Sequence, residues 1–155
     1  MAGYFFDTSA LVKLYHRETG TAVVDRIVRA AGSRILISRL AGAELTSAFA
    51  IKVRTLAIDR DDADLFLRQF REDIVCGTLE VFSVGESEFI VTEHLVERYA
   101  FELRLRALDA LQLAIALAMR DRQLVDRFVA ADKILCAVAA MEGFSVINPD
   151  QSREP

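Results

Sequence analysis

Short apolar runs rich in β-branched and aromatic residues alternate along this chain with longer segments whose apolar residues recur at helical spacing. Runs of this length and composition are typical of buried β-strands. Strands are therefore predicted over residues 3–6, 34–38, 79–84, 127–131 and 144–147.

The segments between these runs have the period of amphipathic helices. Thr19 and Ser38 are expected to cap the second and third helices, because hydroxyl side chains accept hydrogen bonds from helix N-termini. The segment 107–119 is apolar on almost every side, interrupted by Asp109 and Gln112, which predicts a buried helix. Helices are predicted over residues 9–16, 40–57, 59–75, 86–103, 107–119 and 133–142, with one more beginning after residue 19.

Strands separated by helices imply right-handed crossovers and a parallel sheet covered by helices on both faces. The predicted fold class is α/β, with three α/β/α layers around a central parallel sheet of about five strands. At 155 residues, with 53% hydrophobic and 27% charged positions, the chain has the size and composition of one folded domain. We expect a single domain over residues 1–149, followed by a polar C-terminal tail over residues 150–155.

No membrane or export segment is expected from this sequence. The longest uncharged apolar run covers eight residues, 134–141, well short of the ~20 that a membrane helix needs. The N-terminus has no basic segment ahead of an apolar run, which argues against a signal peptide. The two cysteines have no CxxC spacing, so a zinc site is not indicated and the cytoplasm is the expected location.

Charge and short motifs exclude several classes of function. The formal net charge is −4, which argues against a protein coated with basic charge for nucleic acid, although a local basic channel is compatible with it. Neither GxGxxG nor GxxxxGKS/T occurs, so dinucleotide and P-loop nucleotide binding have no support. With only two histidines, His-rich metal sites and most Ser-His-Asp schemes lack the residues they need.

Four acidic residues interrupt or directly follow apolar stretches. Taken singly, an aspartate near a helix start reads most simply as an N-terminal cap, and a glutamate inside a helix as a solvent-facing or ion-paired residue. Asp7 ends the first predicted strand, Asp132 follows the fourth, Asp109 begins the buried helix, and Glu44 lies about a turn and a half into the helix after strand two.

Taken together, the four carboxylates favour a metal site. The carboxyl ends of parallel strands lie along one edge of a sheet, and ligands bind there where the strand order reverses. Carboxylates gathered at that edge repel one another unless a cation neutralises them, and all-oxygen ligands select Mg²⁺ or Mn²⁺ rather than zinc. Such an ion activates water and binds a phosphoryl oxygen, so the chemistry implied is metal-dependent phosphodiester hydrolysis.

The same residues lie in motifs that resemble those of PIN-domain ribonucleases, specifically the VapC-type toxins of type II toxin–antitoxin systems. The resemblance spans nearly the whole chain, and its strength comes from several motifs in the right order on the expected elements. The motifs are FFDTSALVKLY at residues 5–15, AEL at 43–45, RALDALQLA at 106–114, FVAADK at 128–133 and GFSVINP at 143–149.

The resemblance implies a PIN-like fold and a metal-dependent endoribonuclease that leaves 5′-phosphate and 3′-hydroxyl ends on RNA. Asp7, Asp109 and Asp132 would hold a catalytic Mg²⁺ or Mn²⁺, directly or through water. Glu44 would complete the acidic cluster. Thr8 would orient a carboxylate or a water ligand, and helix capping is the simpler role for its hydroxyl. The resemblance also implies an RNA substrate, a cognate antitoxin protein that holds the enzyme inactive, and a homodimer.

Two positions depart from the family pattern. Ala130 stands where relatives often carry a hydroxyl or an Asn, and Gln112 where some carry a further acid or a His. Lys13, Arg104 and Arg106 flank the expected acidic edge and are candidates for contact with RNA phosphates. For the two arginines, a solvated helix face is the simpler reading.

Two other functions stay open. A phosphatase that uses Asp7 as a covalent nucleophile would need a second Asp two residues further on, where this chain has Ser9. A non-catalytic PIN-like scaffold would bind RNA or a protein without cutting. Degenerate members of that kind usually lose one of the acids, whereas this chain keeps all four.

Overall fold

A five-stranded parallel sheet forms the centre of the protein in the computed structural model, which describes residues 1–151. The strand order is β3-β2-β1-β4-β5, and every neighbouring pair is parallel. The predicted sheet is therefore confirmed. Its strands are β1 (Ala2–Phe6), β2 (Ser33–Ser38), β3 (Leu79–Phe82), β4 (Arg127–Val129) and β5 (Ser145–Ile147).

Seven helices within residues 1–151 cover the two faces of this sheet. The first four pack against one face and the last three against the other, each set with its own apolar core. This arrangement confirms the predicted three-layer α/β/α architecture. The helices are α1 (Thr8–Tyr15), α2 (Thr21–Arg29), α3 (Ala41–Arg54), α4 (Arg60–Val75), α5 (Glu86–Tyr99), α6 (Ala107–Asp121) and α7 (Lys133–Met141).

Strand β1 is buried on both faces, because its side chains point alternately to opposite sides of the sheet and helices cover both sides. Phe6 lies in the core beneath α1–α4, whereas Phe5 lies in the core beneath α5–α7. Phe5 also stacks on Phe128 of β4, with ring centroids 5.6 Å apart. Because β1 is enclosed on both faces, the position of Asp7, which follows it, is fixed by the core.

Both predicted helix caps were wrong. Helix α2 begins at Thr21, and its N-cap is Gly20, whose φ of 89° is in the left-handed region that favours glycine. Helix α3 has Leu40 as its N-cap and no side-chain cap. Ser38 is the last residue of β2 and lies too early to reach the helix, and its buried hydroxyl makes no hydrogen bond within residues 1–151.

The start of the predicted polar tail contacts helix α1. Asp150, the first residue of the predicted polar tail, forms a salt bridge of 2.8 Å with Lys13, while residues 152–155 of that tail lie outside the described part. The domain boundary at residue 149 stays a prediction.

No helix in residues 1–151 has both the length and the apolar character needed to cross a membrane. Cys76 and Cys136 carry free thiols.

Gly3 provides a test of how closely β1 approaches the segment before β4. A Cβ atom at this position would lie 1.9 Å from the carbonyl oxygen of Leu124, which is backbone and has no room to move. We expect Gly3→Ala to lower the free energy of unfolding in urea by more than about 2 kcal/mol. The matched control is Gly42→Ala in α3, where the nearest atom lies 3.9 Å away. That substitution should be neutral or stabilising by about 0.5–1 kcal/mol, and equal stabilities for the two variants would contradict the close approach.

Candidate active site

The sheet order reverses between β1 and β4, and two of the predicted acids lie at that point. Asp7 directly follows β1, and its backbone N–H donates to the carbonyl of Val129 at 3.0 Å. Asp132 follows β4 after a two-residue turn. Both aspartates cap helices: Asp7 Oδ2 accepts from the N–H of Ser9 at 3.0 Å, and Asp132 Oδ1 from the N–H of Leu135 at 2.8 Å.

The other two acids come from the first turns of helices. Asp109 lies in the first turn of α6. Glu44 lies in the first turn of α3, which corrects the expectation of a deeper position, because the helix begins at Ala41. All four acids line one open pocket of about 740 Å³ at the carboxyl edge of the sheet. The structure therefore brings the predicted carboxylates together, although their roles as catalytic or metal-binding residues stay predictions.

Ser9 connects the ends of β1 and β4. Its hydroxyl donates to Asp7 Oδ2 at 2.5 Å and accepts from the backbone N–H of Ala131 at 2.9 Å. The sequence pattern places Ser9 at the start of a helix and does not predict this link. The serine two residues after the strand's acid was the available signal, but its partner is distant in sequence.

Gln112 fixes the side chain of Glu44 through a hydrogen bond. Its side chain is fully buried in the otherwise apolar helix α6, and its Nε2 donates to Glu44 Oε1 at 2.9 Å. The amide oxygen of Gln112 has no hydrogen-bond partner among the described residues, so the bond to Glu44 is the polar contact that its amide makes. Gln112 departs from the family pattern in sequence, and its contact with Glu44 was not predicted.

The pocket carries more negative charge than its own cations neutralise. Burial raises the pKa of Asp7, the charge of Asp109 adds to that rise, and the hydrogen bonds from Ser9 oppose it. Burial also raises the pKa of Glu44, assisted by the charge of Asp7 and opposed by the hydrogen bond from Gln112. Carboxylates with raised pKa values of this origin gain from any cation that enters the pocket.

The donor set fits a hard divalent cation. The four acids supply only oxygen ligands, which suit Mg²⁺ or Mn²⁺. The Thr8 hydroxyl lines the same pocket, is buried, and makes no hydrogen bond of ordinary geometry within residues 1–151. As the side chains stand, no three carboxylates, imidazoles or thiols in that part of the chain are grouped closely enough to hold one ion. Some rearrangement of the acids would have to accompany binding.

The three basic residues predicted to contact RNA differ in position. Lys13 lines the pocket, but its buried ammonium group is engaged by Glu18 at 3.1 Å, by the carbonyl of Thr19 at 2.8 Å and by Asp150 at 2.8 Å. Arg104 is exposed and does not line the pocket. Arg106 lines the pocket and forms a salt bridge of 2.8 Å with Asp109. RNA contact by each of the three stays a prediction.

Comparison with known proteins agrees with this architecture. Over residues 4–141 the sequence matches the family described as PIN domain. A similar solved structure is that of VapC20 from Mycobacterium tuberculosis, described as a sarcin-ricin loop cleaving toxin. The two chains are 16% identical, the alignment covers 94% of this chain and 99% of VapC20, and the TM-score is 0.66. At this identity the likeness concerns the fold, and it confirms the predicted PIN-like architecture. A search of curated proteins found no match.

The raised pKa of Asp7 predicts an unusual dependence of stability on pH. Above the ordinary carboxyl value of 3.8, the native state binds more protons than the unfolded state, so the free energy of unfolding falls as pH rises towards the native pKa. Asp7→Asn removes the buried charge and keeps an acceptor for the Ser9 N–H. In EDTA, we expect this variant to resist urea better than the parent at neutral pH, with the difference shrinking as the pH falls to 3.8.

Glu80→Gln is the control of opposite sign for this pH measurement. The hydrogen bond from Arg34 lowers the pKa of Glu80, so its charge stabilises the native state above the ordinary carboxyl range. Glu80→Gln should therefore lose stability at neutral pH. If Asp7→Asn also lost stability there, the charge of Asp7 would be compensated in the native state and the prediction would be wrong.

Proposed function

The chain belongs to the PIN-domain family, and on that premise we propose that it is a metal-dependent endoribonuclease that hydrolyses RNA phosphodiester bonds. The observation that carries the proposal is the convergence of Asp7, Glu44, Asp109 and Asp132 in one pocket where the strand order reverses. The raised pKa values of Asp7 and Glu44 support it, because burial and the neighbouring acids oppose ionisation of both groups and a cation in the pocket would favour it.

In this proposal Asp7, Asp109 and Asp132 bind Mg²⁺ or Mn²⁺, and Glu44 completes the acidic cluster. When bound, such an ion lowers the pKa of a water molecule and stabilises the charge that develops on the phosphoryl oxygen. Side chains of the protein position the ligands and accept the proton. Asp7 and Asp132 each accept a hydrogen bond from the N-terminus of the helix that follows, which limits how far their carboxylates move when the ion binds.

Glu44 is the side chain best placed to handle a proton. Gln112 donates to one of its oxygens at 2.9 Å, and the Glu44 side chain lines the pocket beside Thr8. Burial raises the pKa of Glu44 above the ordinary value for a glutamate, which makes the carboxylate a stronger base. We assign Glu44 the role of accepting a proton from the attacking water. Thr8, whose hydroxyl lines the same pocket, is assigned to orient that water or a carboxylate.

RNA is the proposed substrate class. Ile51 and Leu108 line the pocket with half-exposed apolar side chains, which suit contact with an unstacked base beside the scissile phosphate. Similarity in fold to VapC20, a sarcin-ricin loop cleaving toxin, supports RNA as the substrate and the toxin of a toxin–antitoxin pair as the biological role. A cognate antitoxin protein and a cytoplasmic location belong to the same proposal.

We further propose a homodimer. Helix α5 exposes Phe89 and Ile90 to about half of their surface, which is costly in water unless a partner covers them. Light scattering after gel filtration should give twice the mass of 17.3 kDa, and Phe89→Ser with Ile90→Ser should shift the protein towards the monomer. A parent protein that elutes as a monomer at all concentrations would contradict this proposal.

Cleavage of a mixed RNA pool tests the nuclease directly. The parent should give discrete fragments with 5′-phosphate ends in Mg²⁺ or Mn²⁺ and none in EDTA. Asp7→Asn and Asp132→Asn should each reduce the rate by at least about 100-fold, since loss of groups that merely support metal ligands costs ~10–100-fold. Asp61→Asn is the matched control, because Asp61 is exposed on α4 and lies outside the pocket.

The outcomes separate nuclease from scaffold. Fragments that persist in EDTA or in Asp7→Asn would exclude the proposed mechanism. Absence of both cleavage and Mn²⁺ binding would favour the non-catalytic scaffold. That alternative draws support from the present side-chain positions within residues 1–151, in which no three ligands are grouped for one ion and Arg106 pairs with two of the acids.

A further inference from the structure

Arg106 is the counter-ion of two carboxylates in the acidic pocket. Its Nε donates to Asp109 Oδ2 at 2.8 Å and its Nη2 to Asp109 Oδ1 at 3.4 Å, while Nη2 also lies 4.0 Å from Asp132 Oδ2. Among the described residues, Arg106 is the basic side chain that forms salt bridges with these acids. One guanidinium group therefore spans two of the three aspartates proposed as metal ligands.

The guanidinium lies on the solvent side of the carboxylates. The Arg106 side chain is 71% exposed, whereas that of Asp109 is 13% exposed. Arg106 is the N-cap residue of α6 in an extended conformation, and its side chain makes no capping bond. Exposed ion pairs of this kind add little net stability, so the contact can be broken at low cost. Arg106 can thus leave the carboxylates without disturbing the helix.

Asp109 and Asp132 cannot direct the same oxygens at Arg106 and at a divalent cation simultaneously. Once their charge is neutralised, Arg106 loses its attraction to them and is repelled by the cation. A planar guanidinium released at the rim of the pocket is well suited to the paired oxygens of a phosphate. Lys13 is not available for this role, because Glu18, Asp150 and the Thr19 carbonyl already engage its buried ammonium group.

We propose that Arg106 exchanges partners: it neutralises Asp109 and Asp132 in the metal-free protein, and it binds a phosphate of the RNA when those carboxylates hold a divalent cation. This inference rests on the proposed nuclease function and adds to it a residue that couples metal binding to substrate binding. Without metal, the arginine and the carboxylates satisfy one another and the pocket has low affinity for phosphate.

Titration of the metal-free protein with Mn²⁺ tests the first half, independently of catalysis. Arg106→Gln removes the competing charge, and we expect it to bind Mn²⁺ about fivefold more tightly, because binding no longer requires an exposed ion pair to be broken. Arg104→Gln is the matched control, because Arg104 is an exposed arginine two residues away that does not line the pocket. It should bind Mn²⁺ like the parent. Circular dichroism establishes that each variant is folded.

Binding of a labelled single-stranded RNA, followed by fluorescence anisotropy across a salt series, tests the second half. In Mn²⁺, with the RNA verified as intact on a gel, Arg106→Gln should bind more weakly than the parent. The slope of log affinity against log salt should fall by about 0.7, the amount for one phosphate contact on a single strand. In EDTA the parent and Arg106→Gln should show equal slopes. Arg106→Lys should keep the parental Mn²⁺ affinity but bind RNA less tightly, since it lacks the guanidinium fork.

The results distinguish failure of this inference from failure of the proposed function. If the parent and Arg104→Gln bind Mn²⁺ and Arg106→Gln binds it equally or more weakly, Arg106 does not compete with the metal and partner exchange is overturned. A salt slope that differs from the parent's equally in Mn²⁺ and in EDTA also overturns it. If neither the parent nor Arg104→Gln binds Mn²⁺, the proposed function itself fails, and partner exchange with it.

Discussion

The burial of a carboxylate at the end of the central strand is the constraint on which the rest of the site depends. Asp7 follows β1 without an intervening residue, and β1 is enclosed by cores on both faces. A buried carboxylate is costly unless hydrogen bonds or a cation compensate for the lost water. Ser9 supplies two hydrogen bonds, and its contact with Ala131 ties the end of β1 to the turn after β4.

The acids that form the site are also the residues at the starts of four helices. Asp7 and Asp132 satisfy the N–H groups that open α1 and α7, and Glu44 and Asp109 lie in first turns where peptide dipoles favour negative charge. The simpler reading of each acid as a structural residue was therefore compatible with the functional one. What distinguishes this set is that the four helix starts meet at one pocket, where burial and neighbouring acids raise the pKa values of Asp7 and Glu44.

The local sequence pattern was sufficient to predict the sheet, the layers and the meeting of the four acids. The reason is that the carboxyl ends of parallel strands all lie on one edge of the sheet. Contacts between distant residues could not be predicted in this way. Ser9 reaches Ala131 across 122 positions, and Gln112 reaches Glu44 across 68. The caps expected at Thr19 and Ser38 failed for a local reason, since backbone turns open those helices without a side-chain acceptor.

The sheet order also determines when the site can exist during protein synthesis. Strand β1 lies beside β4, with the N–H of Gly3 hydrogen-bonded to Asp126 across 123 positions, so the neighbour that completes the site emerges from the ribosome long after β1. Contacts this far apart in sequence form slowly, because a long loop must close first. A nascent chain that has released only β1, β2 and β3 carries Asp7 and Glu44 but lacks Asp109 and Asp132. The topology therefore keeps the four acids from meeting until α6, β4 and the residues that follow them have been synthesised.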